Sequence, residues 1–348
     1  MKAPIRTPAD DGLYMPAEWA PHARCWMQWP TRGDIWGERF PETYMAYARV
    51  ARAIAEFEPV SMVVNPEDEA QARLACGRGV DMVVIEIDDS WARDSGPIFL
   101  TDGAGKVGGV HWKFNAWGGK FAPWTNDERV GGEILKNLGM RKYRGPQILE
   151  GGSICVDGQG TLLTTEECLL NPNRNPHLTK QEIEQNLALY LGVSKIIWLD
   201  RGLEDDETDG HVDMIACFAR PGTVLLAMPD DHNDANYARM ADNAERLARA
   251  RDAQGRPLEV IEVPMPSRNL QRAGGGRLCQ SYINFYFANG GIVVPVFDDP
   301  NDERAVKILG EVFPDRKISP VPGFEISLGG GCIHCITQQQ PAGEPLAD

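Results

Sequence analysis

The sequence predicts an α/β fold in one domain, residues 1–348, built from a hairpin–helix–strand unit that recurs about five times. Three observations carry this expectation. Tight-turn signals between β-rich runs recur at Asp102-Gly103, Asp157-Gly158, Pro221-Gly222 and Asn289-Gly290. They fall roughly 55 to 70 residues apart, a spacing that asks for a repeat. Each is followed by a helical stretch and then one more β-rich run.

Taken in order, the elements share this logic. Pro41 to Phe57 places Tyr44, Ala48, Ala51 and Ile54 on one helical stripe and leads to a strand at Val60–Val64. A short helix and a strand from Met82 to Ile87 follow. The first hairpin spans Pro97 to Phe114, then a helix over Asp127–Leu138 and a strand at Ile148-Leu149. Asp-Gly at its turn favours a hairpin because the tight turn needs positive φ. The second hairpin spans Ser153 to Thr165. Its helix, Thr179 to Leu191, has Thr179 and Glu182 at capping-box spacing, Ile183, Leu187 and Tyr190 on one face, and Gly192 as a stop. The strand Lys195–Leu199 completes the unit. The third hairpin, Val212 to Met228, leads to a helix over Asn233–Ala250 and a strand over Leu258–Val263. The fourth, Tyr282 to Val296, leads to Asp302–Phe313 and Lys317–Val321. The two chain ends are left to complete a fifth unit. No linker or low-complexity tract divides the chain.

Composition narrows the function. Hydrophobic residues make up 43% and charged residues 24%, the balance of a globular enzyme. A net charge of −15 disfavours nucleic acid and anionic membranes as partners and favours a cationic ligand. No run approaches the roughly 18 apolar residues of a membrane span. Met1 to Met15 carries prolines and acids where a signal peptide needs an apolar core. The eight cysteines show no CxxC pair and read as reduced thiols, so a cytoplasmic location is expected.

The chemistry-bearing residues fall at equivalent points of the repeat. Asp94, Glu150, His211 and Cys335 each follow a helix-following strand, near the entry to the next hairpin. If the units surround an axis, these points converge. Gly329-Gly330-Gly331 allows close backbone approach and delivers Cys335 onto a stretch, Ile333 to Thr337, that reads as a buried strand. In isolation such a cysteine is an inert core thiol as readily as a nucleophile. His211-Val212-Asp213 sets an imidazole and a carboxylate on one strand face, a pattern shared with surface pairs and metal sites. Glu150-Gly151-Gly152 sets a carboxylate where backbone can approach closely, though an ordinary turn looks the same. Trp91 to Pro97 joins an aromatic wall to Asp94, with Arg93-Asp94 also readable as a local ion pair. Carboxylates clamp a planar guanidinium, a thiolate attacks its carbon, and a histidine protonates the departing amine and then activates water. The constellation suits a guanidine deiminase.

Over nearly the whole chain the sequence resembles agmatine deiminases of the guanidino-group-modifying superfamily, which also holds peptidylarginine deiminases. The resemblance runs through Met15 to Trp19, Gln28-Trp29-Pro30, Trp91 to Pro97, Phe114 to Lys120, Glu150 to Asn175, Thr208 to Asp213, Tyr282 to Asn289, Asp299 to Glu303 and Gly329 to Gln339. It implies a pentein-type fold, a fivefold pseudosymmetric α/β propeller of ββαβ units. It makes Cys335 the nucleophile, His211 the acid/base, Glu150 the carboxylate supporting that histidine, Asp94 and Asp213 the guanidinium clamps, and Trp91 a flank for the substrate's alkyl chain. It implies no organic cofactor and no metal, a small cationic guanidino substrate, and the conversion of agmatine and water to N-carbamoylputrescine and ammonia. A homo-oligomer is compatible with it. For the distal ammonium of such a substrate, Glu207 is the expected contact and Asp206 the second choice. The acidic segment Glu204 to Asp209 holds no Lys or Arg to receive a carboxylate, so arginine should be a poor substrate.

The chain departs from the family pattern at Cys332, Cys155, Phe324 and Met214, which stand where Asn, His, Arg and Asn are usual. None belongs to the constellation, so the departures bear on polarity around the nucleophile and on substrate choice. Three rival readings remain. One is a deiminase of another guanidino compound. Another is a metal-dependent hydrolase using His211, Asp213, His334, Cys332 and Cys335, opposed by the alternation that would send His334 and Cys335 to opposite strand faces. The last is a polyamine-binding protein without turnover.

Overall fold

The computed structural model describes residues 6–272 and 275–347. In chain order the elements are strand β1 (His22–Gln28), helix α1 (Phe40–Ala55), β2 (Val60–Val64), α2 (Glu69–Cys76) and β3 (Val80–Val84). Next come β4 (Ile98–Thr101), β5 (Lys106–Lys113), α3 (Asp127–Asn137) and β6 (Lys142–Ile148), then β7 (Cys155–Val156), β8 (Thr161–Thr165), α4 (Lys180–Leu191) and β9 (Lys195–Leu199). The chain continues through β10 (Ala216–Arg220), β11 (Thr223–Met228), α5 (Ala235–Arg249) and β12 (Glu259–Pro264). It ends with β13 (Tyr286–Ala288), β14 (Gly291–Val296), α6 (Asp302–Val312), β15 (Lys317–Pro322), β16 (Thr337–Pro341) and β17 (Glu344–Pro345).

The described strands form five small sheets with one plan. In each of four, a hairpin pairs antiparallel and the strand after the helix adds parallel to the hairpin's second strand, as in β10–β11–β12 and β13–β14–β15. The fifth sheet joins the chain ends. There β16 pairs antiparallel with β1, β1 runs parallel to β2, and β3 extends the edge. The parallel step needs a crossover, and the helix between the strands supplies it while covering one sheet face. Central strands are accordingly buried along most of their length: β2 and β8 at every residue, β11 and β14 at all but the last. No helix among the described residues is long and apolar enough to cross a membrane.

Local chemistry explains the boundaries. The turn glycines Gly103, Gly158, Gly222 and Gly290 all take left-handed φ, between 69° and 80°. Thr179 caps α4 with a reciprocal Glu182 contact, and Gly192 ends it at φ 69°. Two strands differ from expectation. The strand expected at Met82–Ile87 is β3, two residues earlier, and the strand expected at Ile148-Leu149 begins at Lys142. β6 contains Gly145 and Pro146, which hide it in the sequence. It pairs with β5 alone, and an edge position tolerates proline.

A larger correction concerns the segments that carry the chemistry. Ile333 to Ile336 form a turn before β16 rather than a strand, and Val212–Met214 is a single 3₁₀ turn. Side-chain alternation therefore governs neither segment.

Candidate active site

The turns that follow β3, β6, β9 and β15 meet at one place. Ala92–Ser95, a single helical turn, presents Asp94. Gly151–Ser153 follows Glu150, the Val212–Met214 turn follows His211, and the turn before β16 presents Cys335. All are buried, Glu150 fully, His211 at 1% exposure and Cys335 at 5%.

Gly152 shows how tightly the groups converge. A Cβ there would lie 2.6 Å from His211 Nδ1 and 2.9 Å from both Asp213 Oδ2 and Asp94 Oδ1. The backbone N–H of Gly152 instead donates to Asp94 Oδ1 at 2.9 Å, and Trp117 Nε1 donates to Oδ2 at 2.8 Å. His211 Nδ1 stands 3.8 Å from Asp94 Oδ2. The expected proximity of Glu150 to His211 also holds: ligand atoms of Glu150, Cys168 and His211 lie within 4.8 Å of one another. Glu150 Oε1 accepts from buried Arg174 Nε at 2.6 Å. Among the described residues, neither ring nitrogen of His211, nor Glu150 Oε2, nor Asp213 Oδ1 has a hydrogen-bond partner. Buried polar atoms without partners are costly, and four of them on residues that converge mark a place where a polar ligand completes the bonding.

Cys335 Sγ lies 3.5 Å from Asp213 Oδ2 and 3.4 Å from the side-chain amide of Asn284. Burial, Asp213 and Asp94 push its thiol well above the ordinary range. Burial opposes the His211 imidazolium, but Asp94 and the adjacent Cys168 outweigh it and hold the ring's pKa well above that of a free histidine. Burial pushes Asp94 up, offset in part by His211. Asp213 goes the other way: despite burial it is held below the usual carboxylate range, chiefly by His334.

A narrow cavity opens onto Cys335 and is lined by Trp91, Asp94, Trp117 and Gly329–Gly331, with Asp89 and Glu207 among its other walls. The triple glycine does what its composition implied. A Cβ at Gly331 would meet Trp91 at 2.6 Å and Cys335 Sγ at 3.0 Å, and one at Gly329 would meet Trp36 at 2.5 Å. Trp91 stacks on Trp36 and meets Trp117 edge-on, which makes an aromatic sleeve.

The expected acidic contacts need revision. Asp206 does not line the cavity. Its oxygens accept from Thr208 and from the His211 backbone, so it shapes the loop instead. Glu207 does line it, but it already pairs with Arg272 Nη1 at 2.5 Å. Basic groups absent from the acidic segment arrive from elsewhere, Arg272 on one side and Lys120, which binds Glu207 O and Asp209. Sequence reasoning passed over Asp89, Asn284, Arg174 and Trp117, whose places only the fold reveals. Asp89 had one usable signal, its position two residues before Trp91 in the same motif.

The residue set of the metal-hydrolase reading is not assembled as a ligand cluster. Among the described residues, the group of three or more potential ligands found within mutual reach is Glu150, Cys168 and His211. His334 is engaged by two carboxylates, and Cys332 Sγ faces the Cys279 carbonyl at 3.9 Å. His334 and Cys335 nevertheless both approach Asp213 Oδ2, which overturns the opposite-face argument, since a turn does not alternate.

Known proteins similar to this chain point to its family. The chain is 49% identical over 359 residues to an agmatine deiminase of Ectopseudomonas mendocina, covering 97% of both chains. It is 50% identical over 358 residues to one of Stutzerimonas stutzeri, again over 97% of each. The solved agmatine deiminase of Enterococcus faecalis superposes with a TM-score of 0.94 at 39% identity, covering 97% of this chain and 98% of that one. Residues 14–341 match the model of the Porphyromonas-type peptidyl-arginine deiminases. Matched to that model over nearly its own whole length, and about half identical to two agmatine deiminases, the chain belongs to the Porphyromonas-type peptidyl-arginine deiminase family.

Proposed function

We propose that this protein is an agmatine deiminase, a hydrolase that cleaves a C–N bond of a guanidinium, and that Cys335, His211, Glu150, Asp94 and Asp213 carry the reaction. The observation that carries the reading is the convergence of Asp94, Asp213 and His211 around Gly152, with His211 Nδ1 and Nε2, Glu150 Oε2 and Asp213 Oδ1 unpartnered among the described residues and Cys335 in the wall of an aromatic cavity. A guanidinium offers five N–H donors in a plane, and the carboxylates of Asp94 and Asp213 accept them from two sides. Burying the cation among these groups offsets their charge. The Cys335 thiol can then lose its proton to solvent, and the thiolate attacks the guanidinium carbon. His211, held as imidazolium, gives its proton to the departing amine, which leaves as ammonia. A thiouronium remains on Cys335. Neutral His211, oriented by Glu150, then takes a proton from water; the hydroxide adds, the C–S bond breaks, and the ureido product leaves.

The butyl chain lies against Trp91 in this reading. Besides Asp94, two carboxylates line the cavity and are available to the distal ammonium. Glu207 shares its charge with Arg272, whereas Asp89 Oδ2 accepts no hydrogen bond and has only Arg32 Nη1 at 3.9 Å. We therefore assign the ammonium to Asp89 and give Glu207 the rim. The five-sheet plan, with its active turns at equivalent points, supports a fivefold propeller around the site and a single domain over 1–348. Eight free cysteines accord with a reducing cytoplasm. Ammonia and ureido assays on agmatine, arginine and shorter guanidinoalkanes test the reading. Turnover of agmatine over arginine is expected; equal or greater turnover of arginine would refute the substrate.

A further inference from the structure

We infer that His334, wedged between Glu18 and Asp213, is a positioning residue that keeps Asp213 an aimed carboxylate for the substrate cation. The inference rests on Asp213 as a guanidinium clamp. Its basis is geometric. His334 Nδ1 lies 2.8 Å from Asp213 Oδ2, and Nε2 lies 2.9 and 3.0 Å from the two oxygens of Glu18. Two carboxylates on opposite nitrogens of one ring both require a donor, and only the imidazolium carries two. The ring is buried, and so are both its partners.

The backbone fixes the arrangement. His334 N donates to Asn284, through the backbone oxygen at 3.1 Å and the side-chain oxygen at 3.0 Å. The same amide group touches Cys335 Sγ and donates to Asp213 O at 3.2 Å. Asp213 Oδ2 is thus shared by the imidazole and the thiol, while Oδ1 is left without a partner for a ligand. Without a cation behind it, a fully buried carboxylate beside Asp94 would take up a proton and lose its clamp. The thiol would lose the nearer of its two anionic neighbours, leaving Asp94.

Every charged or titratable neighbour bears on this balance. Arg93 reaches Glu18 Oε1 at 3.5 Å and the His334 carbonyl at 3.3 Å. Cys155 and Cys217 line, with the ring, a small gap walled by Ile283, Phe285 and Phe287. Burial and Arg93 oppose the second proton, but Glu18 and Asp213 prevail and raise the ring's pKa. Glu18 is held down to about 2, against its own burial, by His334, Arg93 and, more weakly, His22.

The proton on the ring can be read without turnover. In ¹⁵N-histidine-labelled full-length protein, with His334→Gln to assign the signal, both His334 nitrogens should show the imidazolium signature at pH 7, above the pKa of a free histidine. A neutral ring at pH 7 overturns the inference. In kinetics with agmatine, His334→Gln should raise KM about tenfold or more with a smaller fall in kcat. It should also move the acid limb of kcat/KM up by about one to three pH units, the scale on which a neighbouring cation shifts an aspartate. Glu18→Gln should move it in the same direction by less, and answers the question if the first variant does not fold. A folded His334→Gln with the wild-type KM and acid limb also overturns it. Failure of the wild type to turn over agmatine refutes the proposed function instead, and leaves the ring measurement standing.

Discussion

At the scale of single residues, the site stores a proton on His211 and keeps one on Cys335, so the free enzyme is the reverse of an ion-paired thiolate. The raised thiol has a measurable consequence. Alkylation of Cys335 by a neutral reagent should be slow at pH 7 and accelerate as pH rises, because only the thiolate reacts. Rapid alkylation that ignores pH across the neutral range would mean that the carboxylates do not control it. Replacing Cys335 by Ala should lower ammonia release by about four powers of ten or more while the fold persists. Ammonium recognition divides the two acids of the cavity. Asp89→Asn should raise KM for agmatine about tenfold or more, the worth of a charge-assisted hydrogen bond in a dry site, with little change in kcat. Glu207→Gln should raise it less, because Arg272 already shares that carboxylate. A larger effect at Glu207 would return the ammonium to the acidic segment.

At the scale of elements, the chemistry sits on turns that regular structure only delivers. Gly152 is the clearest case: its missing Cβ makes the room in which Asp94, Asp213 and His211 come together. Gly152→Ala should therefore abolish most activity by pushing His211 and the clamps apart, and circular dichroism should show the sheets intact. Full activity in that variant would show that the groups are looser than their spacing implies. The helix cap at Thr179 makes a contrast. Thr179→Ala removes the oxygen that accepts from Glu182 N, and should cost about 1 kcal/mol of stability with kcat and KM unchanged.

At the scale of the whole molecule, strands from the two ends of the chain share one sheet. Thr337 to Pro341 are buried along their length although four of the five are polar or amide side chains. They are stabilised there by pairing with β1 and by bonds such as Trp26 Nε1 to Gln340 and Gln338 Nε2 to the Pro97 carbonyl. Ending the chain after Ile336 removes that strand and should abolish cooperative unfolding as well as activity. The same core sets an acid limit. Glu18 is held at about 2 against an ordinary 4.5, so its ionised form stabilises the fold above pH 4.5. That contribution is lost as pH falls from about 4.5 toward 2, as the native state takes up the proton the unfolded chain already binds. In Glu18→Gln the slope of stability against pH in that window should flatten; an unchanged slope would place acid sensitivity elsewhere.

The sequence by itself determined the repeat and most element positions, and it singled out residues that the fold brings together. Hairpin turns, caps and amphipathic stripes are local signals, and a turn at Asn289-Gly290 or a capped helix from Thr179 needs nothing distant to form. Equivalent positions in the repeat also picked out Asp94, Glu150, His211 and Cys335 before any geometry was known. Only the tertiary structure decided how those groups are partnered. Arg272 meets Glu207 from 65 residues away in the chain, Arg174 reaches Glu150, and Asn284 bridges Asp213, His334 and Cys335. The mistaken strand around Cys335 has the same origin. Ile333, Ile336 and Thr337 have high β-propensity, yet the segment turns because its backbone bonds go to Asn284 and to its own residues rather than to a neighbouring strand. Propensity is a property of the chain alone. The identity of the partner that satisfies a buried N–H or carboxylate is decided by what the fold brings within about 3 Å.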